Sequence, residues 1–215
     1  MNNFNSNDAG STLTKFTDIY NIPGVDITVG SNAQFILLNG IISGTDFYNR
    51  TNRIVLAKCL EINFNFFECQ TAFTGYYASD IARVLVVWDH QAETSPNISN
   101  FLLDVTASGT TSTTNLSHKN INNKERFIFL FDKRYALPAY SVTTVNQIGS
   151  INSAYNGNWS HTININLDSL VTRFKSTGTG ISAFSTGGLY LIILGGNLLP
   201  SWAMNFSARY SFLDC

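Results

Sequence analysis

Hydrophobic and polar residues alternate along most of this chain, and the pattern is clearest near its end. Every second residue from Trp202 to Phe212 is apolar, and the residues between them are small or polar. Because successive side chains of a strand point to opposite faces, this alternation predicts a long strand with one buried and one polar face.

A second long strand is predicted over residues 55–66. One face carries Leu56, Leu60, Ile62, Phe64 and Phe66, with Lys58 as the exception, and the other carries Ala57, Cys59, Glu61, Asn63 and Asn65. We nevertheless expect Cys59 to be a small core residue. Three cysteines without a CxxC pair favour a reduced compartment.

The same reasoning predicts eight strands in total. They cover residues 34–38, 55–66, 82–89, 126–132, 162–167, 170–175, 188–194 and 203–212, and polar, turn-rich segments separate them. The expected fold class is all-β, an eight-stranded two-sheet antiparallel jelly roll or a related sandwich. Residues 1–20 are expected to form a flexible N-terminal arm, and residues 21–215 a single domain.

Composition adds that the surface of this protein is unusually poor in charge. Of 215 residues, 13% are charged and the net charge is −1, whereas Asn, Ser and Thr make up 31%. The hydrophobic fraction of 44% argues against disorder. The longest apolar runs are far shorter than the ~20 residues of a membrane helix, so no membrane association is expected. Such an uncharged surface suits contacts with copies of the same chain.

Five segments occur in an order that resembles one family of proteins. They are FILLNGIISGTDFYNRTNRIVLAKCLEI (35–62), ARVLVVWDHQ (82–91), RFIFLFDKRYAL (126–137), GGLYLIIL (187–194) and MNFSARYSFLD (204–214). This ordered set resembles the single jelly-roll capsid proteins of small circular single-stranded DNA viruses (the CRESS-DNA virus type). It is also similar to the capsid proteins of satellite plant viruses.

The resemblance implies a viral coat protein whose partners are copies of itself. Such a protein self-assembles into a small icosahedral shell, expected here to be T=1, that encloses a single-stranded nucleic acid genome. The expected location is the virion, after synthesis in the host-cell cytoplasm, and the host receptor is unknown. One feature departs from the family, because its Arg-rich arm is missing and Lys15 is the sole basic residue before Arg50.

Nucleic-acid affinity depends mainly on Lys and Arg that neutralise phosphates. The residues chosen for that role, on a surface facing the lumen, are Arg53, Lys58, Arg173 and Lys175. For any one of them, a solvated position or an ion pair between subunits is the competing interpretation. Trp88, Trp159 and Trp202 are predicted at a subunit interface, where tryptophan is enriched, with the core or stacking on bases as alternatives.

No combination of residues predicts an enzyme or a cofactor. The histidines are isolated, STGTG (176–180) lacks the lysine of a P-loop, and no serine has a GxSxG context. Structural Ca²⁺ is a weaker hypothesis, with Asp89, Asp132 and Asp214 as candidate ligands because each ends a strand. Aspartate at a strand end is also a common turn former.

A function from another class stays open. The same strands suit a β-sandwich recognition module, lectin-like or receptor-binding, that does not form a shell. A metal-dependent enzyme of the cupin type is a more distant alternative.

Overall fold

The computed structural model describes residues 14–20, 27–68, 76–77, 80–92, 96–137, 140–141, 159–167, 170–196 and 202–215. Within these ranges the protein is dominated by antiparallel strands, which confirms the all-β class. The strands are β1 (Lys15–Tyr20), β2 (Ile27–Val29), β3 (Gln34–Leu37), β4 (Ile54–Glu68), β5 (Tyr76–Tyr77), β6 (Asp80–Asp89), β7 (Asp104–Val105), β8 (Thr111–Ser112), β9 (Phe127–Leu137), β10 (Tyr140–Ser141), β11 (Trp159–Asn166), β12 (Val171–Phe174), β13 (Phe184–Thr186), β14 (Gly188–Leu194) and β15 (Trp202–Asp214).

Helical structure in these ranges is short. It consists of the helix α1 (Ile98–Phe101) and two 3₁₀ turns at Ile121–Asn123 and Ile181–Ala183. None of the described helices is long and apolar enough to cross a membrane. Each of the eight predicted segments overlaps a strand, but seven further strands of two to six residues were not predicted.

The larger sheet contains seven strands around the central pair β4 and β15. These two strands are aligned over thirteen residue pairs, from Trp202 opposite Glu68 to Asp214 opposite Val55. β1 and β2 follow one another along the other side of β15, while β11 and β12 do the same along β4. β13 pairs antiparallel with β12 on the side away from β4.

The second sheet has four strands in the order β3-β14-β6-β9. Along the chain, β1 and β2 belong to the larger sheet, β3 to the second and β4 to the larger. β6 and β9 then lie in the second sheet, β11 to β13 in the larger, β14 in the second and β15 in the larger. Two small pairs, β5 with β10 and β7 with β8, lie outside both sheets.

The main core packs the two sheets against each other. Ile62 and Phe66 of the larger sheet share one buried cluster with Val86 and Leu191 of the second. A smaller cluster covers the opposite face of the second sheet. There Phe101, in the connection after β6, packs with Val87 of β6 and Ile192 of β14. The central strands β6 and β14 of the second sheet are therefore buried on both faces, which explains why β14 is an uninterrupted apolar run.

A β-bulge in β4 changes which residues face the core. β15 pairs Ser211 with Cys59 and Phe212 with Ala57, so Lys58 has no counterpart on β15. The extra residue reverses the alternation, because one inserted position exchanges the two faces of a strand. Ala57 is consequently buried and Cys59 exposed, so the predicted core position of Cys59 was wrong.

The predicted N-terminal arm contains a strand at its end. Residues 15–20 form β1, which pairs with residues 207–212 of β15. Residues 1–13, the rest of that predicted arm, lie outside the described part of the chain.

A fully buried amide joins three segments between the sheets. The Asn39 side chain donates to the Thr172 hydroxyl oxygen and to the Gly187 carbonyl oxygen, both at 2.8 Å. Its carbonyl oxygen accepts from the Leu189 amide at 2.9 Å. Asn39 thus ties the end of β3 to β12 and to the start of β14.

We predict that Asn39→Ala destabilises the protein by about 3 kcal/mol, since each buried polar group left without a partner costs about 1–3 kcal/mol. Asn164→Ala, which removes the same side chain from an exposed position of β11, is the matched control and should change stability by less than about 0.5 kcal/mol. Urea unfolding monitored by tryptophan fluorescence measures both changes. Equal stability of the two variants would show that the Asn39 bonds contribute nothing.

Candidate functional surface

Three exposed cations lie at one corner of the larger sheet. Arg173 of β12 pairs with Ile54 at the start of β4, and the Phe174 amide donates to the Arg53 carbonyl oxygen at 2.8 Å. Lys175 follows at the end of β12. All three side chains are exposed, and within the described residues none forms an ion pair. We call Arg53, Arg173 and Lys175 the cationic corner.

Lys58, the fourth residue predicted to bind nucleic acid, has a different environment. It occupies the bulge of β4, is half-buried and already has an interaction partner. The strand pairing therefore brings together three of the four predicted residues.

Arg50 is close in sequence to Arg53 of the cationic corner, but its side chain is buried and bonds to the protein backbone. Its side chain is 2% exposed, donates to the carbonyl oxygens of Ile41, Asn52 and Ser176, and lies 3.8 Å from the centre of the Phe174 ring. Burial lowers the pKa of Arg50 from its ordinary value. Because these bonds join the β3–β4 connection to the segment after β12, Arg50 fixes the backbone on which the cationic corner stands.

The other arginines of the second sheet are used within the subunit. Arg126 binds Asp89 through two hydrogen bonds of 2.8 Å. Arg83, which is 3% exposed, binds Asp132 at 2.8 and 2.9 Å and also donates to the Ser117 carbonyl oxygen. These contacts attach the segment between β6 and β9 to the sheet beneath it.

The three aspartates considered for Ca²⁺ lie in separate places. Asp89 and Asp132 already have the arginine partners just described. Asp214 accepts from the Thr51 amide and hydroxyl at 2.6 Å each, from the Asn52 amide at 3.0 Å and from Lys15 at 3.1 Å. Burial alone would raise the pKa of Asp214, but these donors outweigh it and the pKa is lowered.

Two opposing effects act on the pKa of Asp132 in the same way: burial raises it, and the bonds to Arg83 lower it. The net result is a pKa below the ordinary value of an aspartate. Within the described residues, no three His, Cys, Asp or Glu side chains group so that they could hold a metal ion. The geometry therefore gives no support to a Ca²⁺ site at Asp89, Asp132 or Asp214.

Two of the three tryptophans predicted at a subunit interface lie in the core. Trp88 is 1% exposed and Trp202 is 2% exposed, and both belong to the main cluster between the sheets. This burial favours the core alternative for Trp88 and Trp202 over the interface role, because a strand residue facing the opposite sheet is buried by its own subunit. Trp159 begins β11, and its side chain lies outside the described part of the structure.

The outer face of the larger sheet is mostly uncharged and polar, and one row of it carries the charged residues Asp18, Arg209 and Glu61. Its rows of directly opposed residues run Tyr20-Ser207-Asn63-Thr162, then Asp18-Arg209-Glu61-Asn164, then Phe16-Ser211-Cys59-Asn166. Arg209 is held by Asp18 through two hydrogen bonds of 2.7 and 2.8 Å. This face therefore presents hydroxyl and amide groups, and its cation is already paired.

An open slot of about 450 Å³ lies between β9 and β11. The rings of Tyr135 and His161 are 4.6 Å apart on its wall, and Lys133 lies 5.0 Å from the Tyr135 ring. Burial raises the pKa of Tyr135 to about 12, while burial first and Lys133 second lower the pKa of His161. Both rings are thus neutral at pH 7, and among these three residues Lys133 carries the charge.

The sequence marks His161 only as one of the isolated histidines, next to the predicted strand 162–167. Its packing against Tyr135 could not be foreseen, because Tyr135 lies on the other sheet. The one sequence signal for the β11 side of the slot is the alternation of Ile163 and Ile165 with Thr162, Asn164 and Asn166.

No protein-family model matches the chain, and no curated protein matches it significantly.

We predict that neither Ca²⁺ nor a chelator changes the melting temperature of the isolated subunit by more than about 1 °C. The physical reason is that Asp89, Asp132 and Asp214 already accept from protein donors, and a ligand stabilises a fold only by binding its native state. Differential scanning calorimetry with millimolar CaCl₂ and with EDTA measures this. A clear rise with Ca²⁺ that Asp214→Asn abolishes would contradict the prediction.

Proposed function

We propose that this protein is the coat subunit of a small virus, folds as a jelly roll and assembles with copies of itself into an icosahedral shell. The observation that carries the proposal is the order in which the chain visits the two sheets. If β1 with β2, and β11 with β12, each count as one interrupted strand, and the three-residue edge strand β13 is set aside, each sheet has four strand positions. The chain then visits them in the order expected of a jelly roll built from two Greek keys.

The segments that resemble capsid proteins support the same proposal. ARVLVVWDHQ (82–91) contains most of β6, RFIFLFDKRYAL (126–137) contains β9, and MNFSARYSFLD (204–214) contains nearly all of β15. The resemblance thus falls on the long strands of both sheets. Lectin and cupin domains also use jelly rolls, so the fold by itself does not select a capsid.

Exposed apolar side chains on the loops favour self-association. Ile42, Phe47 and Tyr48 are 52%, 43% and 56% exposed in the β3–β4 connection. A second group, on the connection between β6 and β9, consists of Val105, Leu116 and Ile121, which are 62%, 54% and 76% exposed. Clusters of exposed apolar residues mark interaction sites, and two different patches on one chain suit head-to-tail contacts that close under symmetry.

We predict that the purified protein sediments as a particle on the order of a megadalton, rather than as the 23.8 kDa monomer. Tyr48→Asp and Ile121→Asp should each abolish assembly while leaving the circular dichroism spectrum unchanged, because a charge at a contact must be desolvated. Asn122→Asp, at an exposed neighbouring position, is the control and should assemble normally. A stable monomer or trimer from the unmodified chain would favour the recognition module instead.

Within the proposed shell, we assign genome contact to the cationic corner. Arg53, Arg173 and Lys175 are exposed without an ion pair among the described residues, and symmetry repeats them in each subunit. Three phosphate contacts per subunit are few, so the expected binding is weak singly and cooperative in the particle.

We predict that replacing Arg53, Arg173 and Lys175 together by Gln lowers the salt dependence of binding to single-stranded DNA. The slope of log K against log salt should fall by about 2, since each phosphate contact contributes about 0.7 for single strands. Lys124→Gln with Lys133→Gln, two exposed cations elsewhere, should leave the slope nearly unchanged. Fluorescence anisotropy at several salt concentrations measures it, and an unchanged slope in the triple variant would refute the assignment.

A further inference from the structure

β1 is attached to the larger sheet differently from the long strands. Its six residues pair with residues 207–212 of β15, yet none of the six is buried. Ile19 packs against the main core while staying partly exposed. By contrast, β15 itself has seven buried residues. The hydrophobic effect therefore contributes little to holding β1, which depends mostly on its backbone ladder and surface contacts.

Two ion pairs fasten β1 near its ends. The Lys15 ammonium lies 3.1 Å from the Asp214 carboxylate, and Arg209 donates two hydrogen bonds to Asp18. The side chains of Arg209 and Asp18 are 53% and 43% exposed. Such an exposed ion pair is weak and is screened by salt, whereas the Lys15 and Asp214 side chains are only 17% and 6% exposed, so salt weakens their pair less.

Aromatic contacts on the outer face complete the attachment. The Arg209 guanidinium lies 4.4 Å from the centre of the Phe16 ring, and Phe16 meets the Phe47 ring edge-on at 5.4 Å. These contacts also lie at the surface. They give β1 a specific position without closing it into the core.

The register shows that β1 is joined to β2 by more chain than the sheet requires. Both strands pair with β15, and residues 21–26 separate them, whereas Asn205 and Phe206 alone separate their partners on β15. Six residues including Pro23 and Gly24 therefore connect positions that two residues connect on the neighbouring strand. This surplus length allows β1 to leave β15 while β2 stays paired.

We propose that β1 is an exchangeable strand, and that the β1 of one copy pairs with β15 of a second copy. Release of β1 exposes the unpaired edge of residues 207–212, and such an edge accepts another strand. The strand whose charges and register fit this edge is β1 itself, with Lys15 opposite the Asp214 end and Asp18 opposite Arg209. Exchange therefore replaces each contact between β1 and β15 of one copy with the same contact between two copies. Swapping an identical element in this way is a low-cost route to a dimer. The inference holds whether or not the protein builds a shell.

The experiment uses two full-length variants, neither of which can form the ion pair between residues 18 and 209 within a single copy. One carries Asp18→Arg with Tyr20→Cys, and the other carries Arg209→Asp with Ser207→Cys. Within each copy, residues 18 and 209 repel each other, whereas reciprocal exchange restores an opposite pair on both edges. Tyr20 and Ser207 are directly opposed, so cysteines there are within the Cα distance of a disulfide when β1 of the first lies on β15 of the second.

Mixing the two variants under mild oxidation should yield a disulfide-linked heterodimer joined between positions 20 and 207. Its yield should exceed that of the two cysteine variants with native charges by about fivefold or more, because exchange restores two exposed ion pairs and each contributes up to about that factor. Peptide mass spectrometry identifies the linked positions and separates them from links through the native cysteines Cys59, Cys69 and Cys215.

A single chain carrying both Tyr20→Cys and Ser207→Cys is the positive control, because it should form the 20–207 bridge within one copy. If that bridge forms but the mixed variants give no link between copies, the proposal is wrong. Hydrogen exchange on the unmodified protein guards against variants that fail to fold. The amides of β1 should exchange at least tenfold faster than those of β4, and equal protection would also overturn the proposal.

Discussion

The pairing of β4 with β15 is the constraint on which the rest of the molecule depends. Thirteen residue pairs join these strands, and every other strand of the larger sheet, apart from β13, pairs with one of the two. Their inner faces supply much of the core. Their far end, at Ile54 and Asp214, positions both the cationic corner and the Lys15 contact that holds β1. A slip of either strand by one residue would turn the core face of that strand towards solvent.

The bulge at Lys58 is how one long strand serves two environments. Beyond it, β4 pairs with β11, and before it with β12. The two segments present opposite alternations, with Val55 and Ala57 buried before the bulge and Leu60 and Ile62 buried after it. A bulge also bends and twists its strand. Lys58 is accommodated there because an inserted residue need not face the core.

The sequence predicts the long strands because one face of each packs on the opposite sheet and the other does not, so apolar and polar residues alternate along the strand. It does not predict β1, where Phe16 and Tyr20 lie on the outer face and hide the alternation. The sequence also cannot show whether a tryptophan side chain on a strand faces the opposite sheet or the subunit surface. Trp88 and Trp202 are therefore equally compatible with a core position and with an interface position. The ion pairs that occupy Asp89 and Asp132 join residues 37 and 49 positions apart. Such distant pairings follow from sheet order rather than from local pattern.

The low charge of the chain acquires a more definite meaning from these contacts. Arg50, Arg83, Arg126 and Arg209 all bind groups of their own subunit, so a composition already poor in charge leaves few cations for other molecules. What the outer face of the larger sheet offers instead is hydroxyl and amide groups. Removing these from water costs far less than removing charges, provided that they find hydrogen-bond partners. Directional polar contacts of that kind favour a defined geometry between copies, whereas long-range attraction to a highly charged polymer requires cations that this subunit mostly keeps for itself.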